Sequence, residues 1–272
     1  GPVVPARIRP GELVTVSPYC HCGQCSACLQ GRTNACSRNQ TLGVQRDGAM
    51  VEWFSIPWEK VYPSSRLSPE LLALTEPLCI GSHAAARGRV GPRDTVVVLG
   101  CGTIGMGALI ACVELGARVI GVDFSPFKLD LAGEFGAIAA LNPASSGFFQ
   151  IMEDLTGGQG ADVVIEAVGS AGTYRSAVEL AAFGGRIVCI GYAREDILLQ
   201  TALMVKKELD VLGSRNALGE FGGVIAMLES GKHPFEKLIS AVYPLDQAPE
   251  AFRDWDKNQQ GMMKVLLRTP QT

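Results

Sequence analysis

The stretch DTVVVLGCGTIGMGALIACVELGARVIGVD, Asp94–Asp123, decides the fold. Val96–Leu99 is a short continuous apolar run, which is typical of a buried parallel strand. Three glycines follow in the spacing G-x-G-x-x-G, and apolar residues then recur at helical spacing up to Leu115. Arg118–Val122 predicts a second strand, and Asp123 ends it. Strand, glycine turn, helix, strand and terminal acid in this order predict a unit that binds a dinucleotide.

Each glycine of the turn has its own mechanical role. Gly100 allows the tight turn after the strand, Gly102 lets the backbone approach a pyrophosphate, and Gly105 lets the helix pack closely on the strand. Asp123 can accept hydrogen bonds from ribose hydroxyls and would repel a 2′-phosphate, and Phe124 offers no guanidinium, so we expect NAD rather than NADP. A glycine-rich turn in another kind of α/β protein is the alternative. The cofactor-binding residues expected here are Gly100, Gly102, Thr103, Ile104, Gly105 and Asp123.

The alternation of strands and helices continues to about residue 215. Ser125 and Pro126 predict an N-cap and the first turn of a helix that ends at Phe135. A further helix is expected over Gly172–Phe183. The remaining apolar runs predict strands at AIAALN (137–142), ADVVIEAVG (161–169), GRIVCIG (185–191) and LDVLGS (209–214). This pattern predicts a doubly wound parallel sheet covered on both faces. Residues at its strand ends are expected to lie against the nicotinamide: Val168, Gly169, Ile190 and Gly191.

Upstream lies a cysteine cluster with the spacing Cys22-x2-Cys25-x2-Cys28-x7-Cys36. Disulfides are one interpretation, but nothing in the sequence indicates secretion. Redox thiols are another, although they usually form one CxxC pair rather than two that overlap. Four thiolates can enclose one zinc ion and leave no position for water, so we expect a structural zinc site. The cysteines outside the cluster and its neighbour Cys20 are expected to be buried thiols: Cys79, Cys101, Cys112 and Cys189.

Length and composition exclude several classes of protein. The chain has 272 residues, 47% of them hydrophobic, which is enough for one large or two ordinary domains with their own cores. The net charge of −3 gives no footprint for nucleic acid or an anionic membrane. Glu114 and Arg118 interrupt the apolar stretch Thr103–Val122, which favours a helix and a strand over a membrane span. We expect a cytoplasmic protein.

A zinc loop followed by a dinucleotide unit resembles the zinc-dependent medium-chain dehydrogenases/reductases. The segments that carry the resemblance are CGQCSACLQGRTNAC (22–36), DGAMVEWFSIP (47–57), EPLCIGSHA (76–84), VVVLGCGTIGMGA (96–108), ADVVIEAVG (161–169) and GGRIVCIG (184–191). Within the family, GVQRDGAM (43–50) and GSRNALGEF (213–221) are most similar to bacterial sugar-acid and polyol dehydrogenases, of the L-galactonate oxidoreductase and sorbitol dehydrogenase kind.

The resemblance implies a domain plan and an activity. A Rossmann domain over 78–215 would be inserted in a β-rich, GroES-like catalytic domain built from 1–77 and 216–272. The activity would be NAD-dependent oxidation of a secondary alcohol in a sugar acid or polyol, with a second, catalytic zinc that polarises the substrate oxygen. Glu76 matches the position of a ligand to that zinc. Arg215 matches an arginine that faces the substrate in sorbitol dehydrogenases. The family also implies a homo-oligomer, either a dimer or a tetramer.

The chain departs from the family pattern at its front. Nothing in it matches the early Cys and the Gly-His-Glu motif that supply the other ligands of the catalytic zinc, and ARIRPGELVTV (6–16) resembles the stretch just after that motif. We therefore expect the front of the catalytic domain to be missing, and an intact parent chain to carry the activity. The chain as written is expected to bind NAD without efficient turnover. The alternative is a catalytically impaired NAD-binding or sensing protein that retains the fold and the structural zinc.

Four residues outside the main motifs carry smaller expectations. Trp53 and Phe54 are expected in the core rather than at the substrate. His83 is expected to be packed within a helix. Glu166 interrupts an apolar strand and is expected at the floor of the pocket, with no catalytic role.

Overall fold

The computed structural model of the chain describes residues 8–269. The outermost parts of the predicted domain limits, 1–7 and 270–272, lie outside the described residues. The chain divides into two compact units. The first consists of Gly1–Cys79 and Asn216–Thr272, and the second consists of Ile80–Arg215.

The front of the first unit contains short strands and short helices. Its elements are β1 (Val14–Val16), β2 (Tyr19–Cys20), α1 (Ser26–Leu29), β3 (Gln40–Thr41), β4 (Val61–Pro63), α2 (Pro69–Ala73) and the start of α3 (Thr75–Arg87). Strand β1 pairs antiparallel with β4, and β2 pairs antiparallel with β3. Ser68 caps α2, because its side chain accepts a hydrogen bond from the Leu71 N–H and Pro69 occupies the first turn.

The second unit is built on one six-stranded parallel sheet. Its elements are β5 (Thr95–Leu99), α4 (Thr103–Glu114), β6 (Arg118–Val122), α5 (Pro126–Glu134), β7 (Ala139–Leu141), α6 (Phe148–Thr156), β8 (Ala161–Glu166), α7 (Ala171–Leu180), β9 (Ala181–Cys189), α8 (Thr201–Lys206) and β10 (Asp210–Gly213). The strand order is β10-β9-β8-β5-β6-β7, and every neighbouring pair is parallel. The structure thus confirms the predicted doubly wound sheet. The direction of winding reverses between β5 and β8, which is where such sheets bind ligands.

Local signals explain most element boundaries in this unit. The Ser125 side chain accepts a hydrogen bond from the Lys128 N–H, and Pro126 opens α5, as predicted. The expected helix over 172–183 is wrong at its end, because α7 stops at Leu180 and the chain enters β9 at Ala181. Ala181 pairs with Ala161 of β8, so sheet pairing overrides the apolar helical pattern at this point.

A contiguous apolar core covers one face of the sheet. It joins side chains of the central strands to residues of α6 and α7. Its buried members are Val97, Leu99, Ile120, Val122, Phe148, Met152, Ala161, Val164, Ala177, Val178, Leu180, Ala181 and Ile187. Because strands β5, β6 and β8 are buried on both faces, they are apolar without alternation. This packing holds the carboxyl ends of the central strands rigidly in register.

The chain returns to the first unit through α9 (Phe221–Glu229), β11 (Ile239–Pro244), α10 (Ala248–Lys257) and β12 (Lys264–Arg268). Strands β11 and β12 pair in parallel. The expectation that Trp53 and Phe54 lie in the core is wrong, because they are 79% and 46% exposed. Both lie in a segment that forms no helix and pairs with no strand within residues 8–269. No helix in the same range has the length and apolarity that a membrane crossing requires.

Candidate functional site

The glycine turn connects the end of β5 to the start of α4. Gly100 has a φ of 92°, which favours glycine. A Cβ on Gly105 would lie 1.7 Å from the carbonyl oxygen of Gly100, so only glycine lets α4 pack this closely. Gly102 differs, because no atom of the described chain lies within 4 Å of a Cβ built there. The fold thus requires glycine at 100 and 105, whereas the space above Gly102 stays open for a ligand.

The open space lies at the positive end of a helix. Gly102 is the N-cap of α4, and Thr103 and Ile104 begin its first turn. The first N–H groups of a helix have no intrahelical partner, and the helix dipole adds a partial positive charge there. The first turn of α4 contains no acidic residue that would compete for these groups. The geometry therefore suits a phosphate or pyrophosphate.

Asp123 holds the turn from the end of the adjacent strand. Its Oδ2 accepts a hydrogen bond from the Cys101 N–H at 2.8 Å, and its Oδ1 accepts one from the Ser125 N–H at 2.9 Å. Each carboxylate oxygen keeps further lone pairs, so Asp123 can still accept hydrogen bonds from hydroxyl groups. Burial, followed by the charge of Asp123, raises the pKa of the Cys101 thiol to about 12. Cys101 is therefore a neutral thiol beneath the turn.

The predicted nicotinamide contacts lie in two loops that follow β8 and β9. These loops cross closely: a Cβ on Gly191 would lie 2.2 Å from the Gly169 nitrogen, and one on Gly169 would lie 2.6 Å from the Tyr192 oxygen. Val168 is half-exposed beside them, and its Cγ2 would lie 2.6 Å from a Cβ on Gly100. The ends of three neighbouring strands thus bring these residues and the glycine turn to one edge of the sheet.

Two side chains fasten these loops, and sequence reasoning expected one of them, Glu166, at the pocket floor without finding its hydrogen-bond partners. Glu166, the last residue of β8, accepts hydrogen bonds from backbone N–H groups of the loop after β8. Tyr174 of α7 donates from its hydroxyl to the Gly191 carbonyl oxygen at 2.7 Å. The signal for the first was present, because an acid inside a buried apolar strand requires partners. Nothing in the sequence pattern marked Tyr174.

The four cysteines of the predicted zinc loop converge in the first unit. All four sulfur atoms lie within 4.8 Å of one another. The Sγ–Sγ distances are 3.5 Å for Cys25–Cys28 and Cys22–Cys36, 3.8 Å for Cys25–Cys36 and 4.0 Å for Cys22–Cys28. A tetrahedral zinc ion with Zn–S bonds of about 2.3 Å separates its sulfur ligands by about 3.8 Å. The donor set and its spacing therefore fit zinc.

Backbone N–H groups donate hydrogen bonds to sulfur atoms of the cluster. Cys36 is buried, and its Sγ accepts from the N–H groups of Cys22 and Arg38 at 3.4 and 3.3 Å. Hydrogen bonds from the backbone at Cys28 and Ser37 lower the pKa of Cys25 to about 5. Burial, followed by hydrogen bonding with the neighbouring sulfurs, raises the pKa of Cys28 to about 11. A bound cation would favour the thiolate form at all four positions.

Glu76, predicted to bind a catalytic zinc, lies in the first turn of α3. Its Oε1 accepts a hydrogen bond from the hydroxyl of Tyr19, which is 8% exposed. Burial raises the pKa of Tyr19 above its usual range, and the charge of Glu76 adds to this effect. Within residues 8–269, the four-cysteine cluster is the only group of three or more Cys, His, Asp or Glu side chains close enough to share a metal. The described residues therefore do not assemble a ligand set around Glu76.

Other predicted residues have simpler settings. Arg215 is exposed, two residues after the end of β10. His83 is buried within α3, as expected. Of the cysteines expected to be buried, Cys189 is only partly so, whereas Cys79, Cys101 and Cys112 are fully buried.

Comparison with known proteins identifies the family. Residues 103–230 match the model for "Zinc-binding dehydrogenase", and residues 3–66 match "Alcohol dehydrogenase GroES-like domain". The chain is 32% identical to L-galactonate-5-dehydrogenase of Escherichia coli K12 over 263 residues, which cover 96% of this chain and 77% of the relative. The chain belongs to the zinc-type medium-chain dehydrogenase family.

Solved structures of dehydrogenases resemble the chain along most of its length. An E. coli CFT073 alcohol dehydrogenase complexed with NADH has a TM-score of 0.87 and 28% identity, and the match covers 94% of this chain and 77% of the other. A zinc-binding dehydrogenase from Sinorhizobium meliloti, bound to NADP, has a TM-score of 0.85 and 28% identity, with 96% and 77% covered. Both confirm the fold, while their cofactors differ.

Proposed function

We propose that the chain belongs to an NAD-dependent alcohol dehydrogenase that oxidises a secondary alcohol of a sugar acid or polyol. Family membership supports an oxidoreductase that takes a nicotinamide cofactor and zinc. One observation carries the cofactor assignment: the space at Gly102 is open, at the N-terminus of α4 and beside the carboxylate of Asp123. When bound, NAD supplies the hydride acceptor.

Different residues of the chain would bind different parts of the cofactor. The N–H groups of Thr103 and Ile104 would bind the pyrophosphate, and Asp123 would accept hydrogen bonds from the adenosine ribose. The loops that contain Val168, Gly169, Ile190 and Gly191 would form the surface against the nicotinamide. Since Gly169 and Gly191 approach the opposite loop closely, the two loops are packed against each other without the cofactor.

Asp123 also supports the choice of NAD over NADP. Its carboxylate would lie beside the 2′-phosphate of NADP and repel it. The preference for NAD therefore rests on the Asp123 charge.

The relative's activity and the chemistry of Arg215 support the substrate class. L-Galactonate-5-dehydrogenase acts, by its name, on a sugar acid. Arg215 is an exposed guanidinium close after the end of a sheet strand, and such a group can bind a carboxylate or a pair of hydroxyls through two hydrogen bonds. We therefore infer a substrate with a hydroxylated carbon chain, and Arg215 as a residue that binds it.

The four-cysteine cluster is proposed to hold a structural zinc, because its sulfur geometry leaves no position for a substrate. The role of Glu76 as a ligand of a catalytic zinc stays a prediction. In the described residues its carboxylate is hydrogen-bonded to Tyr19, and no step of the reaction is assigned to it. A cytoplasmic homo-oligomer, dimer or tetramer, is proposed from family membership.

The test combines three measurements on the full-length gene product. Zinc is counted, NADH binding is titrated, and NAD reduction is screened over sugar acids and polyols. We expect NADH to bind more tightly than NADPH, and a sugar acid or polyol to support reduction. A preparation that contains a second zinc yet reduces NAD with no alcohol would overturn the dehydrogenase proposal.

One observation favours a second candidate, an NAD-binding or sensing protein without efficient catalysis. Within the described residues, only the cysteine cluster gathers metal ligands. This candidate predicts NADH binding and structural zinc, but no second zinc and no turnover. The same three measurements therefore separate the two candidates.

A further inference from the structure

Glu166, the last residue of β8, is an acidic side chain that is buried in the protein. It is 0% exposed and follows three fully buried apolar residues, Val163–Ile165. A carboxylate in such a place is costly unless it is hydrogen-bonded. An apolar residue would satisfy the packing of this strand better, so the acid needs a separate explanation.

One carboxylate oxygen of Glu166 is fully occupied by the loop that follows it. Oε1 accepts from the Val168 N–H at 3.0 Å, from the Gly169 N–H at 2.8 Å and from the Thr173 hydroxyl at 2.7 Å. The Thr173 hydroxyl also takes part in the capping box that starts α7 with Ser170. Glu166 therefore fixes the backbone of the loop relative to both β8 and α7.

The other oxygen of Glu166 lies against the second loop. Oε2 is buried and has no hydrogen-bond partner in the part of the chain that the structure describes. A Cβ on Gly191 would lie 2.6 Å from it. A buried acceptor without a donor opposes stability, so its presence calls for an explanation other than packing. Stability alone thus does not explain Glu166.

The second loop is fastened beside the first. Its Ile190 N–H donates to the Glu166 carbonyl oxygen at 2.8 Å, and Tyr174 holds the Gly191 carbonyl. Burial, followed by the charge of Glu166, raises the pKa of Cys189, the last residue of β9, to about 11. The buried acid thus lies behind both loops that carry the predicted nicotinamide contacts.

We propose that Glu166 is a positioning residue for the nicotinamide half of the cofactor site, acting through the backbone of Val168, Gly169 and Gly191. This inference rests on the proposed function. The carboxylate itself is enclosed, so it would act through the loops rather than by touching the cofactor. The adenosine and pyrophosphate contacts, at Asp123 and Gly102, do not involve it.

The test separates the two halves of the cofactor by titrating NADH and ADP-ribose against the same variants. Glu166→Gln keeps the shape of the side chain but weakens its acceptor oxygen and places an amide where Oε2 has no partner. We expect NADH to bind about tenfold more weakly, equivalent to about 1.4 kcal/mol. ADP-ribose, which lacks the nicotinamide, is expected to bind within twofold of the unmodified chain.

Asp162 provides a matched control at the opposite end of the same strand. Its Oδ2 accepts a hydrogen bond from the Thr95 N–H at 2.7 Å, so Asp162→Asn also weakens a carboxylate that holds backbone. Both ligands are expected to bind this variant within twofold of the unmodified chain. If Glu166→Gln does not fold, Thr173→Val removes one donor to Oε1 and is expected to weaken NADH alone, by about threefold.

The outcomes are distinct. Equal weakening of NADH and ADP-ribose, or no weakening of either, would overturn the positioning role while leaving the proposed function intact. The positioning role would also be overturned if the unmodified chain bound ADP-ribose and NADH with equal affinity, since the nicotinamide would then add nothing to binding. An unmodified chain that binds neither ligand would overturn the proposed function, and this inference with it.

Discussion

The glycine turn of the second unit and the cysteine loop of the first relate to their expected ligands in opposite ways. Around the turn, the sheet and helices are packed by apolar contacts, and the ligand space at Gly102 is left over once folding is complete. In the cysteine loop, α1 has four residues, none of them buried, and the four sulfurs form its centre. One site is preformed by its core, whereas we expect the other to depend on a bound metal for its order. At the turn, a substitution can therefore weaken ligand binding with little change in stability. In the loop, loss of metal binding and loss of folded structure should occur together.

The largest effect is expected from breaking the cysteine cluster. Cys36→Ser removes the buried ligand, so the loop should lose its zinc and become sensitive to protease over about residues 20–42, since metal binding supplies the folding energy of such loops. Zinc content and limited proteolysis measure this. Cys20→Ser is the matched control, because Cys20 lies in the same loop but its sulfur accepts a hydrogen bond from Arg46 and does not belong to the cluster. Retention of zinc and protection in Cys36→Ser would show that the sulfurs are not joined by a metal.

Gly105→Ala should break the fold of the turn itself. The new Cβ would overlap the Gly100 carbonyl oxygen, so α4 must move away from the sheet. We expect a loss of about 3 kcal/mol in the free energy of unfolding, measured by denaturant titration. An unchanged unfolding midpoint would contradict the close packing at this position.

Gly102→Val should instead separate binding from folding. Gly102 has φ −68° and ψ −178°, an extended conformation that any residue adopts, and its Cβ meets open space. The unfolding free energy is expected to fall by no more than about 1 kcal/mol, because valine is a poorer N-cap than glycine. NADH affinity should fall by about 100-fold, because the side chain occupies the phosphate position, equivalent to about 2.7 kcal/mol. Unaltered NADH affinity in a folded Gly102→Val chain would place the cofactor elsewhere.

Asp123→Asn tests the charge beside the turn. The amide keeps the size of the side chain and one acceptor oxygen but removes the negative charge. The ratio of NADPH to NADH dissociation constants should fall about tenfold, since the variant no longer repels the 2′-phosphate. Titrations of both cofactors measure it, and a ratio that does not change would assign the preference to other residues.

The smallest effect is expected at Tyr19. Tyr19→Phe leaves the Glu76 carboxylate without this donor, which should cost about 1 kcal/mol in the free energy of unfolding at neutral pH. Because burial raises the pKa of folded Tyr19 above the usual value of 10.0, only the unfolded chain ionises this group as the pH rises past 10. Tyr19 therefore lowers stability above pH 10, and Tyr19→Phe should show a shallower alkaline decline. Parallel pH profiles for the two chains would contradict the burial of the phenol.

The features that could be predicted from the sequence are those that residues close together in the chain determine. The β5–α4–β6 unit lies within one residue of the predicted bounds, and the Ser125 cap and the parallel sheet are confirmed. The partnership of Tyr19 with Glu76 was not predictable, because 57 residues separate them. The start of β9 at Ala181 depends on pairing with β8, and the exposure of Trp53 depends on which strands cover it. These features follow from tertiary contacts, which residue spacing does not encode.

The most direct test of the central claim is a crystal structure of the chain with NADH. We predict that the pyrophosphate lies over Gly102 and is bound by the N–H groups of Thr103 and Ile104. The adenosine ribose hydroxyls should donate hydrogen bonds to the Asp123 carboxylate. NADH bound away from the glycine turn, or an empty turn at saturating NADH, would contradict it.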